Sequence, residues 1–272
     1  MSANGSIDND ALVVAGVTLR SRLFVGTGRH RNVDELIASL DASGAEVITV
    51  AIRRLDLDNP NEQTLLDQID WGRYRVLPNT AGSRTAEEAL FTARLGRSVT
   101  GSDWVKLEVI PDPRYLMPDP IGTLEAAKQL VAEGFKVLPY INADPVLAQR
   151  LEEIGTVTVM PLASPIGSGQ GLSTLDTIRI IIEQATVPVV VDAGLGVPSE
   201  AAAAMEAGAA ACLVNTGIAQ ATDPALMGEA FRLGVEAGRK AFLAGRIPRR
   251  TAAIASSPTA GVARTPEPAA AR

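Results

Sequence analysis

One periodicity constrains this chain more than any other feature. Short apolar runs rich in β-branched residues return about every twenty-odd residues, and alanine-rich stretches with helical spacing separate most of them. The runs are Arg22–Val25, Glu46–Val50, Arg75–Leu77, Trp104–Ile110, Lys136–Tyr140, Val157–Met160, Pro188–Val191 and Ala211–Val214, each closing in a polar or glycine-bearing turn. Helical spacing marks Thr85–Leu95, Thr123–Ala132, Pro145–Glu153, Thr174–Gln184, Ser199–Ala207 and Pro224–Leu243. The stretch from Arg53 to Arg73 is long, charged and only partly periodic, and reads as an elaborated connection with room for one helix.

Eight strand–helix units within roughly 250 residues fit a closed (β/α)8 TIM barrel, an α/β fold, better than an open doubly wound sheet, which usually stops at five or six strands. No GxGxxG follows the first run, which removes the main support for a dinucleotide site. Ahead of the first run, Ala15-Gly16 lies between two apolar stretches in Ala11–Ser21, a hairpin pattern suited to plugging the barrel floor. The sequence thus predicts one domain over residues 11–255, a disordered N-terminus over 1–10, and a disordered proline-, alanine- and serine-rich tail over 256–272.

Composition narrows the function classes. The 25 basic and 31 acidic residues leave a net charge of −6 with no basic run, which argues against nucleic acid, so any anion site is local. The single cysteine, Cys212, excludes a disulfide framework and a cysteine-built zinc site, and reads as core packing. The single histidine, His30, reads as a polar loop residue and leaves no histidine pair for a zinc hydrolase. No metal or cofactor is called for. No apolar run approaches the ~18 residues of a membrane span, and Met1–Asp10 is polar rather than signal-like, so the expected location is the cytoplasm.

Chemistry concentrates in the fourth run. Along Trp104-Val105-Lys106-Leu107-Glu108-Val109 the strand alternation sends Val105, Leu107 and Val109 toward the helices and Trp104, Lys106 and Glu108 into the lumen. An unpaired ammonium or carboxylate there is costly, so the pair is either a structural ion pair or an imine-forming lysine with a carboxylate to move protons. An exposed lysine is free amine roughly once in two thousand molecules at pH 7. Burial lowers its pKa by up to roughly 3–5, while an ionised Glu108 some ~6.6 Å along the strand raises it by roughly two at an effective dielectric of ~20. The expected net is downward, with desolvation activating the amine.

The seventh run, Pro188–Val191, ends abruptly in Asp192-Ala193-Gly194-Leu195-Gly196, and the eighth in Asn215-Thr216-Gly217. Turns after these two strands are where barrels commonly hold a phosphate on backbone N–H groups. Together with a lumen lysine they predict a small phosphorylated carbonyl substrate. The glycines of Ser164-Pro165-Ile166-Gly167-Ser168-Gly169-Gln170-Gly171 allow close backbone approach to a ligand, or a moving loop. Arg53 and Arg54 could reach a carboxylate across the mouth, but read first as a solvated loop pair.

Four segments carry a resemblance to a known family: Asn79-Thr80-Ala81-Gly82, Trp104-Val105-Lys106-Leu107-Glu108-Val109, Ser164-Pro165-Ile166-Gly167-Ser168-Gly169 and Val191-Asp192-Ala193-Gly194. They resemble the bacterial thiazole synthase family of thiamin biosynthesis, and the likeness extends over roughly residues 12 to 260. Ser83, and Gly217 in place of the family's usual alanine or serine, are small departures. The resemblance implies a transferase that condenses 1-deoxy-D-xylulose 5-phosphate, dehydroglycine and sulfur from the thiocarboxylate of a small ubiquitin-like sulfur-carrier protein into a thiazole phosphate carboxylate. It implies the imine on Lys106, acid/base roles for Glu108 and Asp192, and substrate contacts at Gly167, Ala193, Gly194, Asn215 and Thr216. It also implies a homotetramer. The rival readings are another lysine-imine barrel on a sugar phosphate, such as an aldolase or a pyridoxal-phosphate synthase subunit, and a non-enzymatic phosphate-binding scaffold.

Overall fold

The structure is a computed structural model that describes residues 10–52, 69–254 and 256. Arg53, Arg54 and most of the connection after Val50 lie outside those residues, as do 1–9 and nearly all of the tail.

The chain opens with a two-stranded antiparallel hairpin, β1 (Leu12–Val14) and β2 (Val17–Leu19), turning on Ala15 and Gly16, both left-handed. Strands and helices then alternate: β3 (Leu23–Gly26), α1 (Val33–Ser43), β4 (Val47–Ala51), β5 (Arg75–Asn79), α2 (Ala86–Thr100), β6 (Trp104–Leu107), α3 (Pro120–Ala132) and β7 (Lys136–Ile141). There follow α4 (Pro145–Glu153), β8 (Met160–Pro161), α5 (Leu175–Gln184), β9 (Val190–Asp192), α6 (Pro198–Glu206), β10 (Ala211–Val214), α7 (Thr216–Ala219) and α8 (Pro224–Ala244).

Eight parallel strands stand in the order β8-β7-β6-β5-β4-β3-β10-β9. Two parallel bridges, Val159–Val189 and Leu162–Asp192, join the β8 edge to the β9 edge and close the cylinder. This is the (β/α)8 barrel that the spacing of apolar runs predicts.

Several boundaries move for identifiable reasons. Strand β6 stops at Leu107 rather than Ile110, because beyond it the Thr80 side chain takes over the Glu108 peptide. Helix α3 starts at Pro120, not Thr123, since Asp119 caps it and proline suits the first helical position. The same Asp-Pro start opens α4 at Asp144-Pro145 and α8 at Asp223-Pro224. Helices α1 and α7 add to the helical spacings picked out in the sequence.

Three apolar layers result. Val105, Leu107 and Val109 pack outward against Ala89, Ala93, Ala126 and Leu130 of α2 and α3. The inward floor layer joins Phe24, Val47, Leu77, Trp104, Leu138, Met160, Val190 and Leu213, and the hairpin seats Leu12, Val14 and Leu19 against it. The hairpin is therefore the plug that its sequence suggests. Cys212 is buried in the third layer, between β10 and the helices, where burial and the Asp192 charge push its thiol up to about 12, an inert state.

Asp10 fastens the hairpin to α8. Its carboxylate meets Arg239 at 2.5 and 2.9 Å and Arg22 at 3.0 Å. The hydrogen bond from Arg239 is the main reason its carboxyl lies below the usual value of 3.8. A depressed carboxyl contributes stability above its unfolded value and loses it as the pH falls through the folded one. Asp10→Asn should therefore cost about 1–2 kcal/mol at pH 7 by urea denaturation, with the gap to wild type closing as the pH drops below about 4. A gap independent of pH would contradict the ion pairing.

Candidate active site

A cavity of about 710 Å³ opens at the C-terminal ends of the barrel strands, a size suited to a small-molecule ligand. All eight site residues expected from the sequence line it: Lys106, Glu108, Gly167, Asp192, Ala193, Gly194, Asn215 and Thr216. A second cavity of about 580 Å³, at the opposite strand ends, is lined by charges already engaged with each other, such as Arg22 and Arg239 with Asp10.

Lys106 is 5% exposed, Glu108 4% and Asp192 2%. The Lys106 Nζ lies 2.6 Å from Asp192 Oδ2 and 3.3 Å from Glu108 Oε1, and that Oδ2 has no other partner among the described residues. Burial pushes the amine's pKa down, and it is the largest single influence. The two carboxylates together push further the other way, so the net is upward. This corrects the expectation of an amine activated by desolvation. That reasoning counted Glu108 along the strand but not Asp192, which barrel closure brings from β9. At rest Lys106 is an ammonium.

Glu108 is pushed up from the usual carboxylate range by burial, with Asp192 adding to the effect and Lys106 offsetting it. The trio is thus one coupled unit.

The surroundings keep water from the ammonium. The Tyr140 ring presents its face 5.5 Å from Nζ, and its hydroxyl donates to the Leu116 carbonyl at 3.5 Å. Burial, with the two carboxylates nearby, raises the Tyr140 pKa, so the phenol stays protonated. Ile110, Leu116, Ile166 and Ala193 complete an apolar collar around that ring.

Another part of the wall is neutral and polar. Asn79 Nδ2 donates to Thr49 Oγ1 at 3.0 Å, and Thr27 Oγ1 donates to the Thr49 carbonyl at 3.0 Å. Thr80, fully buried, donates its hydroxyl to the Glu108 carbonyl at 2.7 Å and accepts the Glu108 N–H at 2.8 Å. The Asn79–Gly82 segment carries part of the family resemblance, but its sequence assigns it no task. The signal was there in a threonine ending a strand beside the lysine strand, but only strand pairing reveals which peptide it holds.

The glycine turns are sterically enforced. A Cβ on Gly194 would meet Ser164 Oγ at 1.8 Å, and φ there is +73°. A Cβ on Gly26 would meet the Asn215 side chain at 2.5 Å. That approach lets the Asn215 amide donate to the carbonyls of Gly28 (2.7 Å) and Gly26 (3.1 Å), so its side chain ties two loops together. Ala193, Arg29 and Leu116 hold left-handed φ of 61°, 73° and 54° without being glycine, and all three line the cavity. Such a conformation costs about 1–2 kcal/mol each and gathers at functional sites. His30 does lie in the loop after β3, but it is buried, with Nε2 2.9 Å from Ser39 Oγ.

A closed barrel whose C-terminal mouth holds a dry lysine between two carboxylates, beside glycine turns after its last two strands, defines a (β/α)8-barrel enzyme. Within that class, the chain belongs to the thiazole biosynthesis protein ThiG family, whose model matches residues 13–258. The thiazole synthase of a Synechococcus species is 58% identical over 268 residues, covering 96% of this chain and 97% of that one. The thiazole synthase of Thermosynechococcus vestitus is 59% identical over 261 residues, covering 94% of each chain. A chain from the crystal structure of the Amycolatopsis orientalis BexX/CysO complex superposes with a TM-score of 0.79 at 36% identity, covering 89% of this chain and 98% of that one. Membership makes the protein an enzyme of thiazole formation and removes the aldolase, pyridoxal-phosphate synthase and scaffold readings.

The Thr80 clamp yields a direct test. Thr80→Val keeps the shape but strands the Glu108 N–H and carbonyl, and should lower stability by about 2–4 kcal/mol in urea unfolding. Thr80→Ser, which restores the hydroxyl, should recover most of that loss. Equal stability of the valine and serine variants would rule out the clamp.

Proposed function

We propose that the protein condenses 1-deoxy-D-xylulose 5-phosphate, dehydroglycine and carrier-borne sulfur into the thiazole phosphate carboxylate of thiamin, through an imine on Lys106. The observation that carries this reading is the Lys106 ammonium, buried and flanked by Asp192 at 2.6 Å and Glu108 at 3.3 Å, on the wall of the mouth cavity of a thiazole-forming barrel. The substrate ketone would enter with its phosphate toward the three turns at Gly167, Ala193-Gly194 and Asn215-Thr216, all of which line the cavity.

The chemistry follows from the resting proton inventory. Glu108, with its raised pKa, takes a proton from Lys106 and frees the amine to add to the ketone carbon. Loss of water from the adduct gives the imine, which acidifies the C–H on the neighbouring hydroxyl-bearing carbon. Asp192, left without its ammonium partner, accepts that proton while Glu108 gives its own to the imine nitrogen; the enaminol so formed passes its hydroxyl proton to Glu108 and takes one back from Asp192 at the nitrogen-bearing carbon. The carbonyl thereby migrates along the chain to the carbon that receives sulfur. The collar around Tyr140 protects the imine from water.

The barrel domain is taken as residues 11–255. The sulfur donor is a small ubiquitin-like carrier protein ending in a thiocarboxylate. A relative's solution as a two-protein complex supports a protein partner at this fold. We place the enzyme in the cytoplasm as a homotetramer; no described helix is long and apolar enough to cross a membrane.

Borohydride added with 1-deoxy-D-xylulose 5-phosphate should fix a covalent mass on the wild-type chain, mapped to Lys106, and none on Lys106→Ala. Glu108→Gln should reach the same adduct roughly a hundredfold more slowly. An adduct that persists in Lys106→Ala, or a wild-type chain that gains no mass, would reject the imine.

A further inference from the structure

Arg29 is a cation that no described residue engages. It follows β3 in the loop Thr27-Gly28-Arg29-His30, lines the mouth cavity, and is exposed. It makes no ion pair or hydrogen bond among the described residues. Its φ of +73° is a conformation that L-residues rarely adopt. Glycine would hold that backbone shape freely, so the strain keeps a guanidinium in place at a cost.

Charge decides what it awaits. Two cations and two carboxylates line the cavity, namely Lys106 and Arg29 against Glu108 and Asp192. Lys106 is already committed to both carboxylates. A dianionic ester entering this cavity therefore meets one uncommitted positive charge. Position agrees with charge. Strand β3 is the direct neighbour of β10, and the Asn215 amide binds the carbonyls of Gly26 and Gly28, one residue before Arg29. The arginine loop and the Asn215-Thr216 turn are thus fixed side by side.

We infer that Arg29 is a substrate-anchoring residue that closes on the phosphate of the bound ester, supplementing the backbone groups after β9 and β10. This rests on the phosphorylated substrate of the proposed function. A guanidinium suits the task because its planar fork engages two phosphate oxygens at once. Binding would take a solvated side chain on a fixed loop and make it the outer wall of the ester site.

The test uses inorganic phosphate as the probe, alongside borohydride trapping with 1-deoxy-D-xylulose 5-phosphate. Arg29→Gln should weaken phosphate binding by calorimetry about tenfold, and raise the substrate concentration for half-maximal trapping by a similar factor. At saturating substrate the Lys106 adduct should still form in full. Arg114→Gln, the same charge change on the exposed loop after β6, should stay within about twofold of wild type. Arg29→Gly should melt at a higher temperature than Arg29→Gln, because it relieves the left-handed strain, while losing phosphate affinity equally. Unchanged phosphate affinity in Arg29→Gln overturns the inference, as does an equal loss in Arg114→Gln or a defect limited to sulfur transfer. Failure of the wild-type chain to form an adduct would instead sink the imine, while the phosphate measurement would still report on Arg29.

Discussion

An ammonium removed from water must find its compensation locally, and much of this structure follows from how that is done for Lys106. Two carboxylates converge on it, one just past the end of its own strand and one brought by closing the cylinder. Taking away one partner of such a buried cluster typically costs several kcal/mol, because the remaining charges are left facing each other without solvent. The arrangement therefore stabilises the fold only while complete. Neutralising the amine would leave two buried carboxylates facing each other without their shared counter-charge.

The two ends of the barrel divide the work. At the floor, the hairpin and the layer around Trp104 and Phe24 are apolar and settled, and surface charge there is spent on binding Asp10 to its two arginines. At the mouth, three non-glycine residues sit in left-handed backbone, polar groups line a cavity, and glycines permit contacts that any side chain would block. Among the described residues the floor carries one such left-handed residue, Ala15 in the hairpin turn, against three at the mouth.

Much of this was legible in the amino-acid sequence. Alternation along Trp104–Val109 assigned each side chain its face, and an apolar run ending in Asp192 marked a carboxylate at the rim. What escaped depended on contacts between distant segments. The proton on Lys106 is held by Asp192, so no reading along one strand could give the direction of its pKa. Strand β6 ends early because a threonine hydroxyl from β5's end replaces a ladder partner, an exchange invisible to hydrophobic periodicity. The Asn215 side chain ties down the neighbouring loop, a contact that only strand pairing reveals. Helix starts at Asp-Pro pairs were readable, and α3 was placed a turn late only because periodicity outweighed the cap.

The cylinder is not equally strong all the way round. Most neighbouring strands share a ladder of several registered residues, whereas β8 is two residues long and meets β9 only through isolated bridges. Amide protons at this seam should exchange before those of β4 and β5, since sparse ladders open at lower free energy. Asp192 belongs to the seam. Its carboxylate is thus held toward the Lys106 ammonium from a strand whose one flank is sparsely registered.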